Sequence, residues 1–260
     1  MRFNPASLKS SASSSRWLAR QSRDPFVRQR QAQSQSQQSA SNSSEGGASY
    51  RARSSFKLLS LAKKHPIILS PNRTKTVVDL GAAPGGWSQV ASNLLKSNKA
   101  RIWALDILSM EKIPNVDVIR GDFLSEEVRD ELRERMAEVG VERRGVDTVL
   151  SDMMAPMTGN RTRDVGLSLE LCAAATVFAR DVLRVGSKDD EEITVKGRKV
   201  FPGGNLVIKY FAHPDMDEFR KLELEPWFGK VTVEKPKESR SESSEAYWVC
   251  LGFKGDPANR

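Results

Sequence analysis

The stretch Thr76-Val77-Val78-Asp79-Leu80 constrains this chain more than any other, because it passes without a break into Gly81-Ala82-Ala83-Pro84-Gly85-Gly86-Trp87-Ser88-Gln89. A short apolar run closed by glycine predicts a buried strand, a turn that something can approach closely, and then the start of a helix. In an open α/β sheet such a turn lies at the carboxyl end of its strand. It lines the crevice where chain direction across the sheet switches. The spacing is not that of a dinucleotide fingerprint, since Ala83 stands where the second glycine would be required, and this argues against a nicotinamide cofactor.

The rest of the chain from Tyr50 onward alternates short apolar runs with longer amphipathic segments, the pattern of strands feeding helices and a mostly parallel sheet. Strands are expected at Thr76–Leu80, Arg101–Asp106, Val116–Arg120, Val146–Ser151, Asn205–Tyr210, Lys230–Glu234 and Ala246–Phe253. The last two are joined by a polar, Ser-rich stretch too short for a crossover helix, so they should pair antiparallel. The fold class that results is α/β: about seven strands, mostly parallel with one antiparallel edge strand, and helices on both faces. Residues 186–204 carry charge and turn formers and read as an exposed insertion. With 260 residues and 38% hydrophobic content, one domain over residues 50–260 can bury a substantial core. No apolar run reaches the length of a membrane span.

Residues 1–49 hold 14 Ser, 7 Gln, seven Lys/Arg and two acids, with few large apolar side chains. Such a segment cannot offset its ordering entropy by burial. Arg-rich, Ser-rich and acid-poor composition is that of an organellar transit peptide, and the expected localisation is the mitochondrial matrix. A disordered RNA-binding tail is the alternative. Of the net charge of +8, +5 belongs to this tail and +3 to the domain, so nucleic-acid binding by the domain has to rest on local clusters. Cys172 and Cys250 fall in segments that look buried and should fill space, while His65 and His213 are too few for a closed zinc site. No structural metal is expected.

Candidate chemistry lies at the ends of the expected strands. Asp106 closes the second, 25 residues after Gly81, where a carboxylate can accept from both hydroxyls of an adenosine ribose, and Asp122 follows the third, where it can meet an adenine amino group. The plainer reading of either acid alone is a helix cap. Three strand-end features in succession favour a nucleoside cofactor. Asp152 follows the fourth strand, Lys209 lies on the fifth after Leu206-Val207-Ile208, and Glu245 opens the last. A lysine on a central strand needs a partner to be buried. Near the domain start, Arg53 and Lys57 share a helix face at i and i+4.

The run Asp79-Leu80-Gly81-Ala82-Ala83-Pro84-Gly85-Gly86-Trp87-Ser88-Gln89 resembles the cofactor motif of the FtsJ-type ribosomal RNA 2′-O-methyltransferases, and further motifs recur in order over most of residues 50–253. The resemblance implies a Rossmann-like methyltransferase fold and S-adenosylmethionine as cofactor, contacted by Gly85, Trp87, Asp106, Asp122 and Asp152. It also implies a Lys-Asp-Lys-Glu tetrad, which here corresponds to Lys57, Asp152, Lys209 and Glu245. On that basis Lys209 takes the proton of a ribose hydroxyl, Lys57 disfavours the charged form of Lys209 and helps orient the ribose, Asp152 fixes Lys209, and Glu245 holds Lys57 or the hydroxyl.

Phosphate contacts are expected from Arg51 and Arg53, from Arg161 and Arg163, and from Lys235, Lys237 and Arg240, three basic clusters that flank the predicted crevice. The family resemblance implies a uridine of large-subunit ribosomal RNA, which the tail composition would make mitochondrial. A monomer is expected. Alternatives are a tRNA or mRNA-cap ribose methyltransferase with the same tetrad, and an RNA-binding ribosome-assembly factor whose methyl transfer is secondary or lost. A small-molecule methyltransferase would not call for two lysines around the acceptor.

Overall fold

The computed structural model describes residues 50–156, 158–186, 194–195, 198–199, 201–239 and 243–259. The tail read as a transit peptide and the Arg240 position lie outside the described residues, as does the side chain of Arg161.

Seven strands form one sheet in the order β3-β2-β1-β4-β7-β9-β8. They are β1 Thr76–Leu80, β2 Arg101–Asp106, β3 Val116–Arg120, β4 Thr148–Ser151, β7 Asn205–Phe211, β8 Phe228–Glu234 and β9 Glu245–Phe253. The pairs from β3 to β7 are parallel, and β9 runs antiparallel to both β7 and β8. The single reversed strand is therefore last in sequence but second from the edge, with β8 outside it. Chain direction switches between β1 and β4, because β2 and β3 extend the sheet to one side and all later strands to the other. That switch puts a crevice at the carboxyl ends of β1 and β4.

Alternation along the strands sorts two cores. Val77, Ile102, Leu150, Val207 and Val249 meet helices α1 (Ser54–Lys64) and α2 (Gly86–Leu94) through Leu58, Leu61, Val90 and Ala91. Their sequence neighbours Val78, Trp103, Val149, Leu206 and Cys250 point to the other face. There they pack with α3 (Glu126–Glu138) and α4 (Arg161–Val182) through Leu132, Met136, Phe178 and Val182. Cys172 and Cys250 are free thiols buried in that second core. A short helix α5, Pro214–Phe219, follows β7.

The segment read as an exposed insertion is pinned at its neck. Gly186 N–H donates to the Phe253 carbonyl at 2.9 Å, Phe253 N–H to Gly204 at 2.8 Å, and Gly204 N–H to Arg184 at 2.7 Å. Gly203 and Gly204 are buried, so residues 201–204 belong to the packed sheet rather than to an exposed loop. Within the segment, β5 (Thr194–Val195) and β6 (Arg198–Lys199) pair antiparallel. No described helix is long and apolar enough to cross a membrane.

Candidate active site

Strand register assembles the centre of the site. Ser151 of β4 pairs with Ile208 of β7, so Asp152 emerges beside Lys209, and Lys209 pairs directly with Tyr247 of β9. Residues opposite one another in an antiparallel pair project from the same face. Lys209 and Tyr247 share the face that carries α1, and α1 brings Lys57.

Two ion pairs result. Lys57 Nζ lies 2.5 Å from Glu245 Oε1, and Lys209 Nζ lies 3.1 Å from Asp152 Oδ1 and donates to the Asp152 carbonyl at 2.5 Å. The Lys209 side chain is 7% exposed and that of Asp152 17%. A cation so enclosed requires the partners it has, because an unpaired buried ammonium would be strongly unfavourable. The tetrad suggested by the sequence is thus two lysine–carboxylate pairs in contact with one another. Burial acts to raise the Glu245 pKa, but the hydrogen bond and charge of Lys57 outweigh it and hold the carboxyl below its ordinary range. Ser239 Oγ adds a third-party bond to the same oxygen at 2.9 Å.

Tyr247 joins the pairs. Its hydroxyl is 3.1 Å from Asp152 Oδ1 and 3.2 Å from Glu245 Oε1, and its ring lies 5.9 Å beneath Lys57 Nζ. Burial, then the two neighbouring carboxylates, push the phenol well above its ordinary value. Tyr247 stands in the Ser244-Glu245-Ala246-Tyr247 run that opens the last expected strand, with no role of its own assigned from the sequence. Its one visible signal was a spacing of two from Glu245, which puts both side chains on one face.

The glycine turn stands next to this cluster. Gly81 has φ +73°, and a Cβ there would come within 2.9 Å of the backbone of Met153, the residue after Asp152. Gly85 has φ +102°, and a Cβ there would lie 2.6 Å from Ile113 Cδ1. Gly81 therefore needs glycine for backbone conformation and for closeness to the Met153 backbone, and Gly85 for its backbone conformation. Asp106 braces the turn from below, accepting from Ala83 N–H at 2.9 Å and from Leu108 N–H at 2.8 Å. Burial raises its pKa against those bonds. Asp122 is exposed and accepts from Leu124 N–H at 2.9 Å, a local turn bond rather than the helix cap weighed for it, since Ser125 is the N-cap of α3.

Trp87 can meet a cofactor through its backbone and not through its ring. Its indole is 2% exposed, stacks obliquely on Tyr247 at 5.6 Å and gives its N–H to the Ser54 carbonyl at 2.9 Å. Only its backbone N–H, in the first turn of α2 and without an intrahelical acceptor, is available to a ligand.

Asp79, which the sequence places in the first strand and at the head of the cofactor motif, is a functional candidate in its own right. It is fully buried on β1, two residues before Gly81, and accepts from Ser88 Oγ at 2.6 Å through Oδ2. Oδ1 finds no hydrogen-bond partner among the described residues. Burial pushes its pKa up to about 7, and the charges of Asp152 and Asp106 add to the rise against the Ser88 bonds. Three carboxylates thus face one glycine turn.

The basic clusters divide. Arg51 requires correction as a phosphate contact: its guanidinium donates to the carbonyls of Glu111 at 2.7 Å, Lys112 at 2.8 Å and Pro84 at 3.4 Å, and its backbone N–H donates to Gln89 Oε1 at 2.8 Å. It ties the loop after β2 to the glycine turn. Arg53, two residues on, is exposed at the start of α1. Arg163 is exposed in the first turn of α4, where Asn160 caps the helix by accepting from Arg163 N–H at 3.2 Å. Lys235 and Lys237 are exposed, Lys235 donating to the Ser243 carbonyl at 2.8 Å. No group of three or more His, Cys, Asp or Glu able to hold a metal occurs among the described residues.

An arrangement of this kind can bind a small cationic ligand against carboxylates and move a proton through paired amines and acids. A sequence model of FtsJ-like methyltransferases matches residues 50–253. The chain is 37% identical over 246 residues to the ribosomal RNA large subunit methyltransferase E of Pseudomonas paraeruginosa, covering 95% of this chain and 99% of that one. It is 36% identical over 249 residues to the protein of the same name in Sinorhizobium fredii, covering 95% and 84%. A crystal structure assigned as a ribosomal RNA methyltransferase of Plasmodium falciparum superposes with a TM-score of 0.64 at 27% identity, covering 80% of this chain and 100% of that one. Motif order, sheet topology and these likenesses agree, and the chain belongs to the FtsJ-like methyltransferase family of RNA-modifying enzymes.

Proposed function

We propose that this enzyme transfers a methyl group from S-adenosylmethionine to the ribose 2′-hydroxyl of a uridine in mitochondrial large-subunit ribosomal RNA, with Lys209 as general base. The observation that carries the reading is the enclosed Lys209 amine, held by Asp152 at 3.1 Å beside a glycine turn at the switch point of the sheet. Relatives named for large-subunit ribosomal RNA methylation support the substrate class.

The residues around the turn fit the cofactor. Asp106 and Asp152 bring carboxylates to this end of the crevice, which suits a ligand bearing a sulfonium and an ammonium, and the buried Asp79 beside them has an Oδ1 without a hydrogen-bond partner among the described residues. Gly85 and the Trp87 N–H, with Asp106 and Asp122, are the groups that would hold it. When bound, the cofactor supplies an electrophilic methyl carbon on sulfur.

A ribose hydroxyl is a poor nucleophile, so positioning and proton removal are what the protein contributes. Lys209 Nζ would accept the 2′-hydroxyl proton, while the cofactor, when bound, would supply the methyl group and leave as the neutral thioether, the electrons of its broken S–C bond returning to sulfur. Asp152 keeps the amine in place through its side chain and its carbonyl. Lys57, fixed by Glu245, presents a positive charge that steadies the developing alkoxide and disfavours a second full charge on Lys209. Arg53, Arg163, Lys235 and Lys237 guide the RNA backbone toward the cluster.

Lys209→Ala is expected to abolish methyl transfer from labelled cofactor to organellar ribosomal RNA while cofactor affinity stays within about threefold. Turnover near that of the parent enzyme would remove the base. The mitochondrial address rests on the composition of residues 1–49. Their fusion to a fluorescent reporter should reach the matrix, and a diffuse cytosolic signal would refute the assignment.

A further inference from the structure

A base must be an amine, yet an ammonium 3.1 Å from a carboxylate keeps its proton by preference. The Tyr247 hydroxyl resolves the difficulty. It carries one hydrogen and faces two carboxylate oxygens, Asp152 Oδ1 at 3.1 Å and Glu245 Oε1 at 3.2 Å, and Tyr247 itself is fully buried. With both acids ionised, one of these contacts sets lone pair against lone pair. With a proton on Asp152, both become hydrogen bonds: Asp152 donates to the phenol oxygen, and the phenol donates to Glu245. Glu245 is the acid that stays ionised, since the same oxygen also receives Lys57 and Ser239. The proton that Asp152 needs is available on Lys209.

We propose that Tyr247 is a positioning residue that draws the proton shared by Lys209 and Asp152 onto the carboxyl, leaving Lys209 as the neutral amine that the reaction requires. The transfer is balanced within the cluster: an N–H bond of Lys209 breaks, an O–H bond of Asp152 forms, and the charge of the pair passes from zwitterion to neutral. Lys209 keeps its N–H bond to the Asp152 carbonyl, so its lone pair is freed without loss of position. This rests on the reading of Lys209 as the base.

A purely structural Tyr247 would act through its ring, which packs on Trp87 at 5.6 Å and under Lys57. Tyr247→Phe keeps that ring and removes only the hydroxyl. In single-turnover methylation of ribosomal RNA with saturating labelled cofactor, the variant should lose about tenfold in rate near neutral pH and recover as pH rises. Its acidic limb should move up by about one pH unit while KM for RNA and for cofactor is unchanged. A pH–rate profile superimposable on that of the parent overturns the proposal and leaves Tyr247 as core packing. Should Tyr247→Phe fail to fold, the Nζ resonance of Lys209 in parent protein labelled with nitrogen-15 lysine, assigned by its loss in Lys209→Met, decides instead. An amine signal at about pH 8 is expected, and an ammonium signal there overturns the proposal. An active Lys209→Ala enzyme would sink the reading of the base, whereas an inactive one beside an unshifted Tyr247→Phe profile would sink the role of Tyr247 alone.

Discussion

Asp79 couples the fold to pH in a direction opposite to most carboxylates. Its pKa rises from 3.8 in the open chain to about 7 in the folded protein, chiefly because burial disfavours the anion. The folded state therefore binds this proton more tightly than the unfolded state does, and the stability it confers is full below about pH 4 and lost progressively up to about pH 7. At about 1.4 kcal/mol for each pH unit, the rise amounts to ~4 kcal/mol across that window, to order of magnitude. Asp79→Asn removes the titration and keeps an acceptor for the Ser88 hydroxyl. It also places an amide N–H₂ where Oδ1 has no partner, a cost of about 1–3 kcal/mol that does not vary with pH. The difference in stability between parent and variant should thus swing by about 4 kcal/mol between pH 4.5 and 8, in favour of the variant at the alkaline end. Denaturant titrations of the cofactor-free proteins at several pH values measure it. At pH 8 cofactor affinity should move the other way, weaker in the variant, because the negative charge beside the proposed site of a cationic cofactor has been removed. Parallel stability curves over the whole range would refute the account of Asp79 as a carboxyl kept neutral by burial.

The glycine turn and the arginines allow narrower tests. Gly85→Ala meets both an unfavourable φ of +102° and Ile113 Cδ1 at 2.6 Å, so it should cost about 1–2 kcal/mol of stability and weaken cofactor binding at least tenfold by calorimetry. An unaltered Kd would mean that the turn does not border the ligand. Arg51→Gln, which unties the loop after β2 from Pro84, should raise the Kd for cofactor severalfold and leave the salt dependence of RNA binding alone. Arg53→Gln should do the reverse, reducing the salt slope by about one. Equal effects of both on RNA would return Arg51 to the phosphate surface.

The sheet was legible because its strands are short apolar runs, most of them β-branched, ended by turn residues. β1, β2 and β3 have the expected limits, while β4 begins two residues later and β8 two residues earlier than expected. At β4, Val146 makes only an isolated bridge to Leu183, and the register with β1 and β7 begins at Thr148, opposite Val77 and Asn205. The place of β9 was less accessible. Apolar patterning shows that the last two strands form a hairpin, but not which of them meets β7, and β9 is the strand buried on both faces. The return of residues 201–204 to the sheet was hidden by their own composition, since Pro202, Gly203 and Gly204 look like loop and are small for a different reason. Gly203 has φ +99° and lies against the backbone of Phe253, and a Cβ on Gly204 would reach Leu183 Cδ2 at 2.8 Å.

At the site, the residues that could be named in advance are those the family resemblance singled out among the polar groups at strand and helix ends: two lysines and two acids. What sequence could not supply is which partner each polar group chooses. Arg51 and Arg53 are the same residue type two positions apart, yet one is consumed by three carbonyls and the other faces water, because the loop after β2 closes over only the first. Trp87 and Tyr247 likewise carry polar tips on apolar bodies, and their burial sends one tip to a helix carbonyl and the other between two carboxylates. That second choice follows from register, a property of three strands far apart in sequence: β4 delivers Asp152, β7 delivers Lys209, and β9 delivers Tyr247 and Glu245 to one row. Shifting β9 by one residue against β7 would turn Tyr247 and Glu245 to the opposite face and leave Lys57 and Lys209 without this bridge. Stability of the β7–β9 pairing and the proposed protonation of Lys209 are one problem, since the hydrogen bonds that fix the register also decide which oxygen the phenol can reach.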